Sequence, residues 1–284
     1  MKYALPILIC LFLAACESAP SRIDAHDSAM EKTIGHSSLQ QNQWQDWLTQ
    51  AGVEGVLLLA DKDGVIRYAS DTAKGGILVP PASTFKWVLA LIALQTHVVT
   101  DVDSIMLRNG DQDSNPKGNS DQSLREGMRN STNWIFRRLA QRIGDASLQR
   151  WMQEIKYPAQ PVDAEVFWVE PDFNISPKEQ IRLFVDLMRG NLPMDREPLQ
   201  KTRSILCMED TLGVKLFAKT GWCEPYGGNV GWYVGALVNA QDTSYFATCI
   251  QTKGEAPDNF SELRRSLTFR ALKEVGWMSN ELNF

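Results

Sequence analysis

Apolar and polar residues change their spacing twice along this chain. In "GVLLLADKDGVIRYAS" two short apolar runs flank Asp61-Lys62-Asp63-Gly64, which predicts a β-hairpin. A long middle section then carries helical periodicity with polar starts, in "STFKWVLALIALQ", "SLREGMRNSTNWIFRRLAQRIG" and "SPKEQIRLFVDLMRG". Later, "VKLFAKTGW", "NVGWYVGALVN" and "SYFATCIQ" read as adjacent strands separated by Gly, Asn and Asp turns. "SELRRSLTFRALKEVG" predicts a closing helix with Gly276 near its end. Strands near both ends with helices between them predict one antiparallel sheet built from the termini, flanked by terminal helices, with a helical subdomain inserted. No internal repeat interrupts this order.

The first residues follow a different pattern. Lys2 precedes "YALPILICLFLAA", a short apolar stretch ending in small residues, as in an export signal. That stretch is short for a transmembrane helix. The following "LAAC" resembles the lipobox of bacterial lipoproteins, with Cys16 as the lipidated residue; a plain secretory signal is the alternative. The expected organisation is therefore a signal over 1–16, a polar tether over 17–42 and one domain over 43–284. Export to the periplasmic side of the envelope permits disulfides. Cys10 leaves with the signal and Cys16 carries lipid, so Cys207, Cys223 and Cys249 remain, enough for at most one bridge.

Composition narrows the chemistry. The chain has 284 residues, 44% hydrophobic and 22% charged, with a net charge of -5. Mild acidity without a basic run argues against nucleic acid as a partner. Neither a Gly-rich phosphate loop nor a dinucleotide fingerprint is present. The histidines, His26, His36 and His97, lack metal-ligand spacing, so a zinc hydrolase is not expected and no metal site is assigned.

Ser83 and Lys86 in "PPASTFKWVLALIALQ" lie three positions apart, on one helical face, behind two prolines that discourage helix upstream. Unpaired N–H groups of a first helical turn favour a developing oxyanion. A serine hydroxyl needs a base to act as nucleophile, and a lysine serves only when burial keeps its amine neutral. Taken singly, Ser-x-x-Lys also fits a capping serine and a surface lysine. Two further elements follow: Ser131-Thr132-Asn133 within a helical stretch, and Lys219-Thr220-Gly221 at the end of a predicted strand. Ser-x-x-Lys, Ser-x-Asn and Lys-Thr-Gly in that order form the signature of active-site serine β-lactamases and penicillin-binding proteins.

With "PPASTFK", "FWVEPDFNISPKEQ", "AKTGW" before "GWYVG", and "RRSLTFRALKEVG", the chain from about Trp44 onward resembles class D β-lactamases, the oxacillinase family, and is similar to related penicillin-sensor domains. The resemblance implies an α/β sandwich (α+β) with the site between sheet and helical subdomain, as in penicillin-binding transpeptidases. It implies Ser83 as nucleophile for β-lactam antibiotics and Lys86 as an N-carboxylated base. No cofactor is implied beyond the carbon dioxide that this lysine captures. Trp168 matches an indole that donates to the carbamate, with core packing as its other reading. Ser131 matches the proton bridge, Lys219 the neighbouring cation and Thr220 a substrate-carboxylate ligand. Backbone N–H groups of Ser83 and Trp222 would form the oxyanion hole, with Gly221 keeping the strand approachable. Arg264 matches the carboxylate-binding arginine, and Arg265, about 100° away on a helix, is its rival.

Three departures stand out. Class D enzymes commonly carry valine where this chain has Asn133, and sensor domains carry asparagine; a polar amide there could favour the free amine of Lys86. Tyr157-Pro158-Ala159 stands where the family has Tyr-Gly-Asn. The loop "CEPYGGN" could bring Cys223 and Tyr226 to the cleft. Two functions follow: a β-lactamase with an acyl-enzyme on Ser83, or a penicillin-binding or sensor-type protein that acylates and turns over slowly.

Overall fold

The computed structural model describes residues 38–159, 167–282 and 284. The expected lipidation site at Cys16 and the signal around it lie outside the described residues. Helix α1 runs over Ser38–Gln50, so regular structure begins five positions before the domain start expected at 43. The hairpin forms as β1 (Glu54–Ala60) and β2 (Ile66–Ala69). Gly64 takes φ +77 in its turn, a conformation that glycine adopts without steric cost.

The helical middle comprises α2 (Lys86–Gln95), α3 (Leu124–Asn130), α4 (Asn133–Ile143), α5 (Asp145–Glu154), α6 (Pro177–Arg189) and α7 (Arg196–Leu206). A short ribbon, β3 (Ile105–Met106) with β4 (Gln122–Ser123), lies among them. The chain returns to the sheet as β5 (Cys207–Thr211), β6 (Val214–Cys223), β7 (Asn229–Val238) and β8 (Thr243–Thr252), and closes with α8 (Phe260–Glu274).

The sheet is antiparallel throughout, in the order β2-β1-β8-β7-β6-β5. Strand β1 near one end of the chain pairs with β8 near the other, from Glu54 opposite Gln251 to Ala60 opposite Tyr245. Successive strand residues face opposite sides. Leu57 and Leu59 of β1, with Tyr233 and Leu237 of β7, join Trp44, Trp47 and Leu48 of α1 and Leu267 and Ala271 of α8. Val56 and Leu58 of β1, with Val234 and Ala236 of β7, face the helical layer instead, packing with Trp87, Ile92, Phe136 and Phe184. The central strands are thus buried on both faces, which is why their segments read as nearly continuous apolar runs.

One segment differs from its expectation. "SLREGMRNSTNWIFRRLAQRIG" is two helices, not one, and Ser131 is not helical: it caps α3 in the left-handed region with φ 56 and ψ 36. Thr132 then returns to extended backbone at φ -61 and ψ 126 and leads into α4. The 3.6-residue period survives the break, so periodicity alone does not report it.

Candidate active site

The turn that carries Ser83 is a 3₁₀ helix, Ala82–Phe85, immediately ahead of α2. Ala82 has φ 50, a left-handed conformation unusual for a residue with a Cβ, and the reversal sets Ser83 at the mouth of α2. Buried hydrogen bonds pin the turn. Thr84 Oγ1 donates to Pro81 O at 2.7 Å, Gln180 Nε2 to Thr84 Oγ1 at 2.7 Å, and Trp232 Nε1 to Pro80 O at 2.8 Å. Ser83 itself is half-buried, whereas both its neighbours are buried.

Lys86 is 0% exposed, which removes the surface-lysine reading of Ser-x-x-Lys. Its Nζ donates to Ser131 O at 2.5 Å, Asn133 Oδ1 at 2.7 Å and Ser131 Oγ at 3.3 Å, and it lies 5.4 Å from the centroid of Phe136. Ser83 Oγ is not among its hydrogen-bond partners in the described residues. Burial lowers the amine to about 7, against an opposing pull from Asp113. A large neutral fraction at neutral pH follows. The left-handed cap at Ser131 is what turns both its carbonyl and its hydroxyl toward this amine.

The third element reaches the same hydroxyl. Lys219 Nζ donates to Ser131 Oγ at 3.0 Å and to Thr220 O at 3.0 Å. Burial first, then the charges of Lys86 and Arg264, push the Lys219 amine well below its ordinary value. Two buried amines therefore meet on one hydroxyl, a geometry suited to passing a proton between them. Gly221 explains how β6 comes so close to the Ser83 turn: a Cβ there would lie 2.8 Å from Pro81 O and 3.3 Å from Ala82 Cβ.

Thr220 and Trp222 alternate to the α8 side. Arg264 is buried, donates from Nη1 to Gly221 O and lies 6.0 Å from the Trp222 ring. Burial lowers this guanidinium to about 10. Arg265 lies 3.9 Å from Glu262 and over Phe269, and it lines the same cavity as Arg264. A cavity of about 530 Å³ lies beside Lys219, Thr220 and Arg264. Trp222 is 42% exposed and donates from Nε1 to Asn229 Oδ1 at 2.8 Å.

Trp168 lies in a 3₁₀ turn, Phe167–Val169, buried and stacked on Phe85 at 6.4 Å between ring centroids. It thus adjoins the residue before Lys86, within an aromatic cluster that also holds Tyr157 and Phe173. Tyr157 is buried in that cluster, so it packs and does not face the cleft. Cys207, Cys223 and Cys249 are free thiols. Cys223 is buried, and desolvation raises it to about 12, which leaves an inert thiol and not a reactive one. The Tyr226 side chain lies outside the described residues.

The site also contains a group that the motifs do not announce. Asp113, buried on the loop between β3 and β4, accepts from the backbone N–H and Nδ2 of Asn133, the latter at 3.4 Å, and from Asn115 N–H at 3.0 Å. Its sequence neighbourhood, "GDQDSNPKGN", reads as an ordinary polar turn.

The chain is similar to known proteins in both sequence and fold. The family model of the penicillin binding protein transpeptidase domain matches residues 35–271. β-Lactamase OXA-2 of Salmonella typhimurium is 30% identical over 247 residues, covering 84% of this chain and 87% of that protein. The crystal structure of the class D β-lactamase YbXI from Nostoc is similar with a TM-score of 0.76 and 30% identity, over 82% of this chain and 98% of that one. Regulatory protein BlaR1 of Bacillus licheniformis is 30% identical over 178 residues, 62% of this chain and 30% of that protein.

Proposed function

Since the chain belongs to the class D β-lactamase family of penicillin-binding transpeptidase-like proteins, we propose that it hydrolyses penicillin-type β-lactams through an acyl-enzyme on Ser83. The observation that carries this reading is Lys86, wholly buried next to the nucleophile turn with its amine lowered to about 7. Ser83 Oγ attacks the lactam carbonyl carbon, and backbone N–H groups of Ser83 and Trp222 receive the oxyanion. Losing one such donor costs about 3 kcal/mol of transition-state stabilisation. The Ser83 proton passes to Lys86; the ring C–N bond breaks and the nitrogen takes a proton from Ser131 Oγ, which Lys86 at 3.3 Å then restores, with Lys219 at 3.0 Å on the same hydroxyl. Thr220 and Arg264 hold the substrate carboxylate. Water then cleaves the ester and restores Ser83.

A neutral, desolvated amine is the form that adds carbon dioxide, so the lowered amine of Lys86 supports reading it as an N-carboxylated lysine. In that form the side chain supplies a base for both acylation and deacylation. Asn133 supports the second reading, a penicillin-binding or sensor-type protein with slow deacylation, because its Oδ1 already occupies Nζ at 2.7 Å. Turnover of a penicillin with and without bicarbonate decides between them. Catalytic turnover that bicarbonate increases supports the hydrolase; a stoichiometric burst with a lasting mass adduct on Ser83 supports the binder. The reading also takes 1–16 as an export signal with Cys16 lipidated, anchoring the domain to the envelope. Retention of Cys16→Ala in the membrane fraction would count against that anchor.

A further inference from the structure

The three oxygens around Lys86 Nζ define which form of the side chain the site prefers. An ammonium has three N–H donors, and Ser131 O, Asn133 Oδ1 and Ser131 Oγ supply three acceptors. A carbamate nitrogen keeps one N–H and adds two anionic oxygens, so it cannot satisfy the same set. Ser131 O is fixed by the helix cap. Asn133 Oδ1 is a side-chain atom, and its direction has a separate cause.

That cause is Asp113. Its carboxylate only accepts, so the edge of the Asn133 amide facing it must be Nδ2, which leaves Oδ1 facing Lys86. The loop holds Asp113 in place: Asn115 N–H donates to Oδ1 at 3.0 Å, and Asp113 N–H donates to Asn119 Oδ1 at 2.9 Å. Gly118 makes the room, since a Cβ there would lie 2.7 Å from Asp113 Cγ. The charged groups acting on this pocket are Asp113, which favours the ammonium of Lys86, and Lys219, itself close to Arg264.

We propose that Asp113 is a positioning residue that holds Lys86 in its amine form, by fixing the Asn133 amide oxygen toward Nζ, and thereby sets how much carbon dioxide the site requires. The proposal rests on the reading of Lys86 as the carboxylated base. In the step concerned, the neutral Nζ lone pair forms an N–C bond to carbon dioxide. One C=O electron pair moves onto oxygen, and Nζ releases a proton to water. Asp113 opposes this by stabilising the protonated amine and by keeping an acceptor where a carbamate oxygen would go.

The test uses the full chain with 13C-labelled lysine Cε, titrated first in carbon-dioxide-free buffer and then with 13C-bicarbonate. In Asp113→Asn the Lys86 resonance is expected to titrate at lower pH, and the bicarbonate giving half the carbamate signal to fall about tenfold. Asn133→Val severs the same link from the other side and is expected to move both readouts in the same direction, should Asp113→Asn fail to fold. An unchanged Lys86 titration and unchanged bicarbonate dependence in either folded variant overturn the proposal, as does a carbamate signal absent from wild type and variants alike. Neither readout needs a β-lactam. Failure of wild type to form a Ser83 adduct would sink the hydrolase reading, while the Lys86 titration still decides the role of Asp113.

Discussion

At the scale of single residues, the site is a set of basic side chains brought out of water, two of which meet on one hydroxyl. Lys86, Lys219 and Arg264 are all buried, and in each desolvation is the first cause of the lowered value. On the proposed mechanism the amine of Lys86 loses its proton before it acts, so deacylation is expected to rise with pH through about 7 and level above it. A pH–rate profile of kcat measures this; a flat profile from pH 5 to 9 would dissociate Lys86 from the rate. Lys86→Ala is expected to lower kcat by about 10²–10⁴-fold, as for loss of a general base, and to leave an acyl adduct visible by mass spectrometry if Ser83 still reacts. That Lys86, Ser131 and Lys219 come together was legible from residue type and order alone. Asp113 was not, because an acidic residue in a polar loop carries no pattern, and only the folded hydrogen bonds show where its carboxylate ends up.

At the scale of elements, strand β6 and the Ala82–Phe85 turn work as a pair whose spacing Gly221 sets. Gly221→Ala is expected to leave the fold intact by circular dichroism while cutting kcat/KM about 100-fold, the effect of shifting reacting groups by about 1 Å. Wild-type kinetics in this variant would show that the contact is slack. Helix α6 is positioned by a capping box in which Ser176 Oγ accepts from Glu179 N–H and Glu179 returns a carboxylate oxygen to Ser176 N–H. Ser176→Ala is expected to cost about 1 kcal/mol in urea denaturation, without changing turnover. The hairpin, the three late strands and the closing helix were readable because burial on alternate faces, or on one helical face, writes a period into the sequence. The break at Ser131 was not, since a left-handed serine has no sequence signal comparable to glycine. Strand β5, "CMEDT", was hidden as well: its last three residues are exposed and it carries no alternation.

At the scale of the whole molecule, the buried amines couple the site to stability. Lys86 titrates at about 7 when folded and near 10.5 when free, and Lys219 is lowered in the same direction. Between those values the unfolded chain binds more protons than the folded one, so stability rises with pH. The thiols of Cys223 and Cys249, raised by burial, act oppositely once the unfolded thiols ionise near 9. The midpoint of thermal unfolding is therefore expected to climb from pH 7 to about 9, and Lys86→Met is expected to flatten that climb. A wild-type Tm that falls across this interval would refute the buried-amine account.

Helix α1 leaves a last consequence. Its tryptophans pack against α8 on the side of the sheet turned away from the layer that bears Ser83, and Arg270 of α8 lies 3.8 Å over the Trp47 ring. The buried tryptophans of α1 and the turn that carries Ser83 are thus separated by the thickness of the sheet, so a change at Trp44 or Trp47 reaches the nucleophile only through the strands.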